Sequence, residues 1–444
     1  MKKLIRKLYL FITLLFISSF LKAQDTTLPL LTVEQTVATA LENNFDIMLA
    51  RNDSATAALD YEFRNAGFLP RFNANASLLY NNNAQKQTLA DGREVERNGI
   101  RSNNLNASVG MNWQIFDGFR MFILRDRLEQ LIYLGEYTIK QQVVNTVAQV
   151  INNYFDIVRQ KQQLRAVEEQ MSINEDRYNL AKYRLDIGVG VKPDVLQAQI
   201  DLNAQRSAQL TQLTLITQLK QELNQLMNVA PSSDYDVIDT IPVRMDLTLQ
   251  DFQSIDATNP TLLLAQKNID IADLLVRERR AERFPTLSLV SAYNFNRQSN
   301  QAVINPFQPI FNLNRGFNYG VTAAIPILNN HTVKRQIRQA QLDVQFREIQ
   351  LDNQRSLLTT AMINAFKSYE LQKRAVALEE ETIVLVRENL FIVRERYRLA
   401  ATPYIELREA QRSLEEAYTR LINARYNMKL AETELLRLRG DLVR

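Results

Sequence analysis

The hydrophobic and polar residues of this chain follow two different periods, and each half of the chain contains both. Long stretches with few glycines or prolines carry apolar residues at steps of three and four, for example Val147, Ile151 and Tyr154. This spacing predicts helices with a narrow apolar stripe, which pack side by side while much of their surface faces water. The two longest stretches, 119–187 and 326–403, would each extend on the order of 100 Å at roughly 1.5 Å per residue.

Shorter stretches of the same kind complete three helical segments in each half of the chain, at 30–66, 194–230, 261–284 and 404–439. Short connections at 186–193 and 400–403 join each long helix to the next one. Each connection places a proline, Pro193 or Pro403, near the start of the returning helix, where proline is well tolerated. We therefore expect two helical hairpins with their tips at these connections.

Four segments between the helices alternate strictly between apolar and polar residues, at 70–82, 104–115, 285–297 and 316–327. An ordinary antiparallel sheet over a globular core would alternate in the same way. Their length of about 9–11 residues and their aromatic residues instead favour membrane-barrel strands with apolar side chains toward lipid. The expected lipid-interface aromatics are Tyr80, Trp113, Tyr293, Phe317 and Tyr319. The polar stretches 81–104 and 297–315 then become extracellular loops.

Four strands cannot enclose a water-filled barrel, and lipid does not tolerate an open sheet edge. The chain is therefore expected to oligomerise. Three copies would supply twelve strands and a matching ring of long helices. The predicted fold class is an α+β membrane protein, with a long antiparallel α-helical barrel and four transmembrane β-strands per protomer that complete a twelve-stranded β-barrel in a homotrimer.

The chain also aligns with itself at a shift of about 215 residues, which indicates an internal repeat. Residues 44–70 match 259–285, and residues 109–116 match 321–328 at a slightly shorter offset. We expect a first structural repeat at 24–230, a linker or equatorial segment at 231–251 and a second repeat at 252–444.

The first 23 residues combine a basic start, a short apolar run and Ala23 before a polar segment, which predicts a cleaved signal peptide and export. An uncleaved anchor is the alternative, but the run at 8–20 is shorter than the roughly 20 residues of a spanning helix. This segment carries five of the 53 basic residues and none of the 49 acidic ones, so 48 basic residues remain. That balance removes the case for nucleic acid binding. The chain has no cysteine and therefore no disulfide.

The chain resembles the TolC-like outer membrane efflux protein family along nearly its whole length. The motifs that carry the resemblance lie at 31–44, 67–70, 113–118, 194–199 and 325–328. The resemblance implies a homotrimer that serves as the exit duct of a tripartite efflux pump or a type I secretion system. It also implies two partners, a periplasmic adaptor (membrane fusion) protein and an inner-membrane transporter, and a location in the outer membrane with the helices in the periplasm.

The resemblance further implies that acidic residues beside the second hairpin tip narrow the periplasmic entrance. The matching residues are Glu406 and Glu409. Three copies of each around an axis would attract cations and weaken the closed state by repulsion. The alternative is that the two glutamates simply belong to the solvent-exposed face of a highly charged helix. Asp194 is the first-half counterpart, at a helix start where capping is an equal explanation.

Three arginines near these carboxylates, Arg398, Arg408 and Arg412, are candidates for pairs that hold the entrance shut against a neighbouring protomer. The expected adaptor contacts are the hairpin tips: Gly188, Val189 and Gly190 in the first, Ala401 and Thr402 in the second. Glycine favours the left-handed turn at the first tip, whereas 400–402 contain none, so docking through the second tip is left open.

Two other classes of protein compete with a duct. Catalysis is disfavoured because the single histidine, His331, lies at a predicted helix start and no nucleophile or phosphate-binding motif occurs. No cofactor or metal is expected. A barrel-anchored adhesin or coiled-coil stalk would place its helices outside the cell. The repeat instead puts both hairpins on the same side of the membrane as the N-terminus. In barrels with short turns that side is the periplasm, which favours the duct.

Overall fold

The computed structural model describes residues 28–90, 92–248, 258–304, 307, 309–399 and 401–442. The predicted signal peptide at 1–23 and the end of the predicted linker lie outside these residues. The helices are α1 (Val33–Asn43), α2 (Phe45–Glu62), α3 (Arg120–Asp186), α4 (Lys192–Met227), α5 (Pro260–Ala281), α6 (Thr332–Arg398) and α7 (Tyr404–Arg439). The strands are β1 (Leu30–Leu31), β2 (Arg71–Thr88), β3 (Glu94–Phe116), β4 (Asp236–Val237), β5 (Thr286–Asn300) and β6 (Phe311–Ala324).

Corresponding helices of the two predicted repeats have equal lengths. Helices α3 and α6 have 67 residues each, and α4 and α7 have 36 residues each. The described part of the chain contains no helix with both the length and the apolar character needed to cross a membrane.

The single helical segment expected at 30–66 is wrong, because the chain forms two helices with a break at Asn44. This residue has an extended backbone (φ −62°, ψ 131°), and its N–H still bonds to the Ala40 carbonyl of α1. The Asn44 side-chain amide donates to the Leu226 carbonyl at 2.9 Å. A tertiary hydrogen bond thus compensates for the interrupted helix, and no proline or glycine marks the position in the sequence.

Strands β2, β3, β5 and β6 form one antiparallel sheet in that order, with β3 and β5 pairing across the two predicted repeats. Ala74 lies opposite Val109, Val109 opposite Tyr293 and Tyr293 opposite Phe317, so the apolar side chains share one face. We call this the apolar face of the sheet and the other the polar face. Helices α2, α3, α5 and α6 all connect to the same end of the sheet, which we call its helix-proximal end.

Strands β2, β3, β5 and β6 are longer than the predicted length of about 9–11 residues. The predicted loop at 81–104 is wrong over most of its length, because these residues form paired strands. Strands β2 and β3 stay paired out to Thr88 and Glu94, with one register shift between Asn83 and Gln85. Beyond Asn81 most side chains of this pair are polar on both faces, with only Ala84, Val95 and Ile100 apolar, so the alternation disappears while the backbone ladder continues. The same extension carries β5 to Asn300 and starts β6 at Phe311.

The chain divides into two compact units. The first comprises residues up to Phe45, 146–247 and 365–435, and its core surrounds the fully buried Tyr154 and Phe155 of α3. The second comprises 46–145, 248–364 and the residues from Leu436 onward, and includes the sheet. A core cluster of the second unit packs Leu262, Ala265 and Ile269 of α5 against Leu351 of α6.

Candidate functional site: the helical hairpin tips

The first hairpin tip is closed by a glycine turn. Gly188 has a φ of +78°, its N–H donates to the Leu185 carbonyl, and the Val189 N–H donates to the Arg184 carbonyl, both at 3.0 Å. These two bonds define a Schellman motif, which satisfies the last carbonyls of α3. At Gly190 a Cβ atom would lie 2.9 Å from the Arg184 carbonyl carbon, so the backbone itself excludes a larger residue. The exposed Val189 is left at the tip.

The second tip makes an equivalent closing bond without a glycine. The Ala401 N–H donates to the Arg396 carbonyl at 2.9 Å, with the same spacing as the bond from Val189 to Arg184. The buried Thr402 donates its hydroxyl to Glu406 Oε2. The Arg396 guanidinium lies 3.9 Å from the same carboxylate. Ala401 remains exposed, so the two tips share a backbone closure but differ in how the next residues are held.

The three predicted entrance carboxylates have different surroundings. Asp194 is exposed in the first turn of α4, directly after Pro193, where it complements the positive end of the helix. Glu406 occupies the matching first turn of α7 and is engaged by its own tip. Glu409 is exposed and has no ion pair or side-chain hydrogen bond among the described residues. Glu406 and Glu409 are three residues apart, which puts them on one side of α7.

A buried polar network joins the two hairpins just behind the tips. Arg177 of α3 contacts Asp201 of α4 at 2.5 Å and donates to Gln411 of α7 at 3.1 Å. Arg408 of α7 lies 3.4 Å from the other oxygen of Asp201, which also accepts from Gln197 at 2.9 Å. The Arg177 and Asp201 side chains are only 6% and 15% exposed, whereas Arg408 is half exposed. Residues of three helices, α3, α4 and α7, therefore converge on one carboxylate.

Two of the three candidate arginines have partners within their own chain. Arg408 binds Asp201 of its own chain, and Arg412 binds Glu416 of its own helix at 3.0 Å. The Arg398 side chain lies outside the described part of the structure. The sequence reasoning missed Arg177 and Asp201, because each is one polar residue among many on Gln-rich helices. The only local signal is the four-residue spacing of Gln197 and Asp201.

A charged clamp fastens the segment that connects the two repeats to α3 and α4 in the first unit. Lys161 and Arg165 both lie 2.8 Å from Asp239, and their hydrogen bonds lower the pKa of this carboxyl. Lys220 lowers the pKa of Asp234 in the same way from 2.6 Å.

Buried tyrosines complete the attachment of the connecting segment, and burial raises the pKa of Tyr154. The Tyr154 hydroxyl donates to the Leu31 carbonyl at 2.7 Å and accepts from the Ile238 N–H at 3.3 Å.

In the second unit, all five predicted interface aromatics lie on the apolar face of the sheet. Trp113 is near the helix-proximal end, where its indole N–H donates to the Phe68 carbonyl at 2.8 Å. Tyr80 is toward the opposite end. Tyr293, Phe317 and Tyr319 lie between them and are exposed.

The chain is similar to several known proteins over most of its length. The family described as "Outer membrane efflux protein" matches residues 36–229 and 252–441. The outer membrane efflux protein BepC of Brucella suis is 21% identical over 75% of this chain and 72% of its own length. The outer membrane protein TolC of Escherichia coli is 20% identical over 84% of this chain and 75% of its own length. The Campylobacter jejuni CmeC outer membrane channel has the same fold, with a TM-score of 0.75 at 15% identity over 92% of this chain and 85% of CmeC.

Proposed function

This chain belongs to the outer membrane efflux protein family, and on that premise we propose that it is the exit duct of a tripartite efflux pump or type I secretion system. The predicted resemblance to TolC-like proteins and the predicted location are confirmed: the chain lies in the outer membrane with its helical part in the periplasm. Its fold and family are those of channel proteins and not of enzymes. We propose that conduction is passive and that a partner transporter supplies the energy.

The open sheet is the observation that carries this proposal. Strands β2 and β6 each have one neighbour in the four-stranded sheet, and most of the exposed side chains of one face are apolar or aromatic. Unpaired strand edges are not tolerated in lipid, so a membrane-spanning sheet of this kind has to close by adding strands. Three copies of the chain would close it at twelve strands.

The helices support the same assembly. Along α6, exposed apolar residues recur every seven positions: Leu371, Leu378, Leu385 and Ile392 are 49–64% exposed. Helix α4 exposes Leu196, Ile200 and Leu210 in the same unit. A seven-residue apolar repeat is the pattern by which helices pack side by side. We propose that neighbouring protomers cover these seams and that the helices form a periplasmic α-helical barrel.

We further propose that Glu406 and Glu409 line the narrow periplasmic entrance and that Asp194 contributes charge beside it. In this arrangement Arg408 and Asp201 fasten the second hairpin to the first. The tips at Gly188, Val189 and Gly190 and at Ala401 and Thr402 would receive the adaptor, and the equivalent closing bonds of the two tips favour docking at both.

The test is the mass and the conductance of the purified, detergent-solubilised protein without its first 23 residues. A trimer-sized particle that gives discrete, cation-preferring conductance steps in a planar bilayer is the expected result. A monomer without conductance would mean that the sheet is not part of a channel, and the proposal would fall.

A further inference from the structure

The strands carry arginines in an arrangement that the duct function does not explain. Residues 71–83, 100–116, 286–300 and 311–324 of these strands contain four arginines and no acidic residue; the acidic residues of the sheet, Glu94 and Glu96, lie beyond them at the far end of β3. Three of them, Arg101, Arg297 and Arg315, lie on the apolar face. Arg297 is paired in register with Leu105 and Leu313, and Arg315 is paired with Phe295. The fourth, Arg71, is opposite Asn112 on the polar face, at the helix-proximal end.

The three arginines on the apolar face also lie toward one end of the sheet. Arg297 is the twelfth residue of β5 counted from Thr286, and Arg315 is the tenth counted back from Ala324 in β6. Arg101 is further still from the helix-proximal end of β3 at Phe116. A tilted strand crosses the hydrocarbon layer in about 9–11 residues. These side chains therefore come at, or just beyond, the edge of the layer that is farthest from the helices.

No carboxylate of the described chain neutralises these guanidinium groups. Among the described residues, Arg101, Arg297 and Arg315 take part in no ion pair, and all three are exposed. Arg297 lies with its guanidinium carbon 5.9 Å from the ring centroid of Phe311, within the range of a cation–π contact. Arg297 and Arg315 are diagonal neighbours on adjacent strands, a geometry that brings long side chains within reach of each other. An anion that binds both guanidinium groups would offset the repulsion between these two neighbouring cations.

We propose that Arg297 and Arg315, extended by Arg101, form a binding site for the phosphorylated headgroup of an outer-leaflet lipid. An arginine facing lipid is far more costly at the bilayer midplane than near the interface, so its favourable place is at the headgroups. Guanidinium groups bind phosphate oxygens in bidentate fashion, which makes phosphate the anion that best fits paired arginines. The helices lie in the periplasm, so the opposite end of the sheet is in the outer leaflet. The inference rests on the proposed function, because it requires the apolar face to contact lipid.

The test uses the purified, detergent-solubilised protein and three probes: diphosphoryl lipid A, the same lipid with its phosphates removed, and inorganic phosphate. Native mass spectrometry gives the dissociation constant of each lipid. We expect the wild type to prefer the phosphorylated lipid by about tenfold or more. Arg297→Gln with Arg315→Gln should reduce the preference to within about twofold. Arg71→Gln is the matched control, because it removes an arginine from the other face, and it should keep the full preference.

Arg297→Lys with Arg315→Lys is the second variant, in case the glutamine variant does not fold. It keeps both charges but loses the bidentate geometry, so part of the preference should remain. A wild type that binds both lipids equally, or a glutamine variant that keeps the preference, would overturn the site. Inorganic phosphate that competes as well as the lipid at equal concentration would overturn the lipid assignment. Bilayer conductance separates the two proposals: a conducting trimer without phosphate preference refutes only this site, whereas a protein that does not conduct refutes the duct.

Discussion

The Tyr154 hydroxyl is a single group on which two parts of the first unit depend. Tyr154 is fully buried, and its hydroxyl bonds to the Leu31 carbonyl of β1 and to the Ile238 N–H of the connecting segment. Tyr154→Phe keeps the ring in place but leaves both backbone groups without this partner. The expected cost is about 1–3 kcal/mol, the desolvation penalty of buried polar groups left unsatisfied. The measurement is the shift of the chemical denaturation midpoint of the purified protein.

Tyr133→Phe on the same helix is the control for this substitution. Tyr133 is 41% exposed, and its hydroxyl makes no hydrogen bond within the described part of the chain. Its removal should stay within about 0.5 kcal/mol, as surface changes usually do. Equal midpoint shifts for the two variants would show that the Tyr154 hydroxyl does not fasten the connecting segment.

At this scale the sequence revealed residues that stand out from their neighbours and missed those that do not. Glu406 and Glu409 are predicted because the family resemblance points to acidic residues beside the second hairpin tip. Arg177 and Asp201 were missed because their importance comes from burial between helices that are distant in sequence. The hydrogen bond from Thr402 to Glu406 was equally invisible, since it depends on the conformation of the tip.

The first hairpin tip is an element whose conformation depends on one backbone dihedral. Gly188 has a φ of +78°, and a Cβ atom added to it would meet no heavy atom within 4 Å, so Gly188→Ala tests backbone strain without a clash. The left-handed conformation costs a non-glycine residue about 1–2 kcal/mol. We expect amide hydrogen exchange at Val189, which bonds to Arg184, to accelerate about fivefold or more. Gly316→Ala, in open space without a positive φ, should leave its own strand unchanged. Unchanged exchange at Val189 would contradict the glycine turn.

The clamp on the connecting segment predicts how the first unit responds to acid. Hydrogen bonds from Lys161 and Arg165 lower the pKa of Asp239, so its contribution to stability is present above the unfolded pKa of about 3.9. This contribution is lost as the pH falls through the lower, folded pKa. Asp239→Asn should therefore lower the thermal midpoint at pH 7 and reduce the further drop between pH 7 and pH 3.

Asp60→Asn is the control for the acid response, because Asp60 is an exposed carboxylate of α2 with no ion pair among the described residues. It should reproduce the wild-type thermal midpoints at both pH values. If Asp239→Asn shows the full wild-type drop, the clamp does not contribute to acid sensitivity.

At the scale of elements, the periodicity of the sequence identified the helices and the faces of the strands but not all their ends. Side-chain alternation reports burial or lipid contact, so it defined the strands only where one face is apolar. Past Asn81 the ladder of β2 and β3 is held by backbone bonds, which any polar sequence can make. The break at Asn44 was hidden for a similar reason, since a tertiary hydrogen bond to Leu226 supports it.

For the whole molecule, the seam on α6 predicts that assembly can be separated from folding. Leu378 and Leu385 are 64% and 60% exposed, so charged substitutions there disturb little of the protomer itself. Leu378→Glu with Leu385→Glu would bury six carboxylates in the proposed trimer interfaces, which is unfavourable without partners. We expect loss of the trimer mass by light scattering with helical content retained. Leu378→Met with Leu385→Met should remain trimeric, and a trimeric glutamate variant would contradict the seam.

The selectivity of the assembled channel tests the entrance assignment, and the structure separates the two glutamates. Glu406 is engaged by Thr402 and Arg396, whereas Glu409 is exposed and unpaired within the described residues. A ring of three unpaired carboxylates attracts passing cations more strongly than a ring of carboxylates that are paired with other side chains. Glu409→Gln should therefore lower the cation preference more than Glu406→Gln, and the double variant should lower it most and alter the single-channel conductance. Reversal potentials in a salt gradient measure this effect. Glu348→Gln, which removes an exposed carboxylate from the other unit, should leave the reversal potential unchanged. Wild-type selectivity in the double variant would mean that the entrance lies elsewhere along the helices.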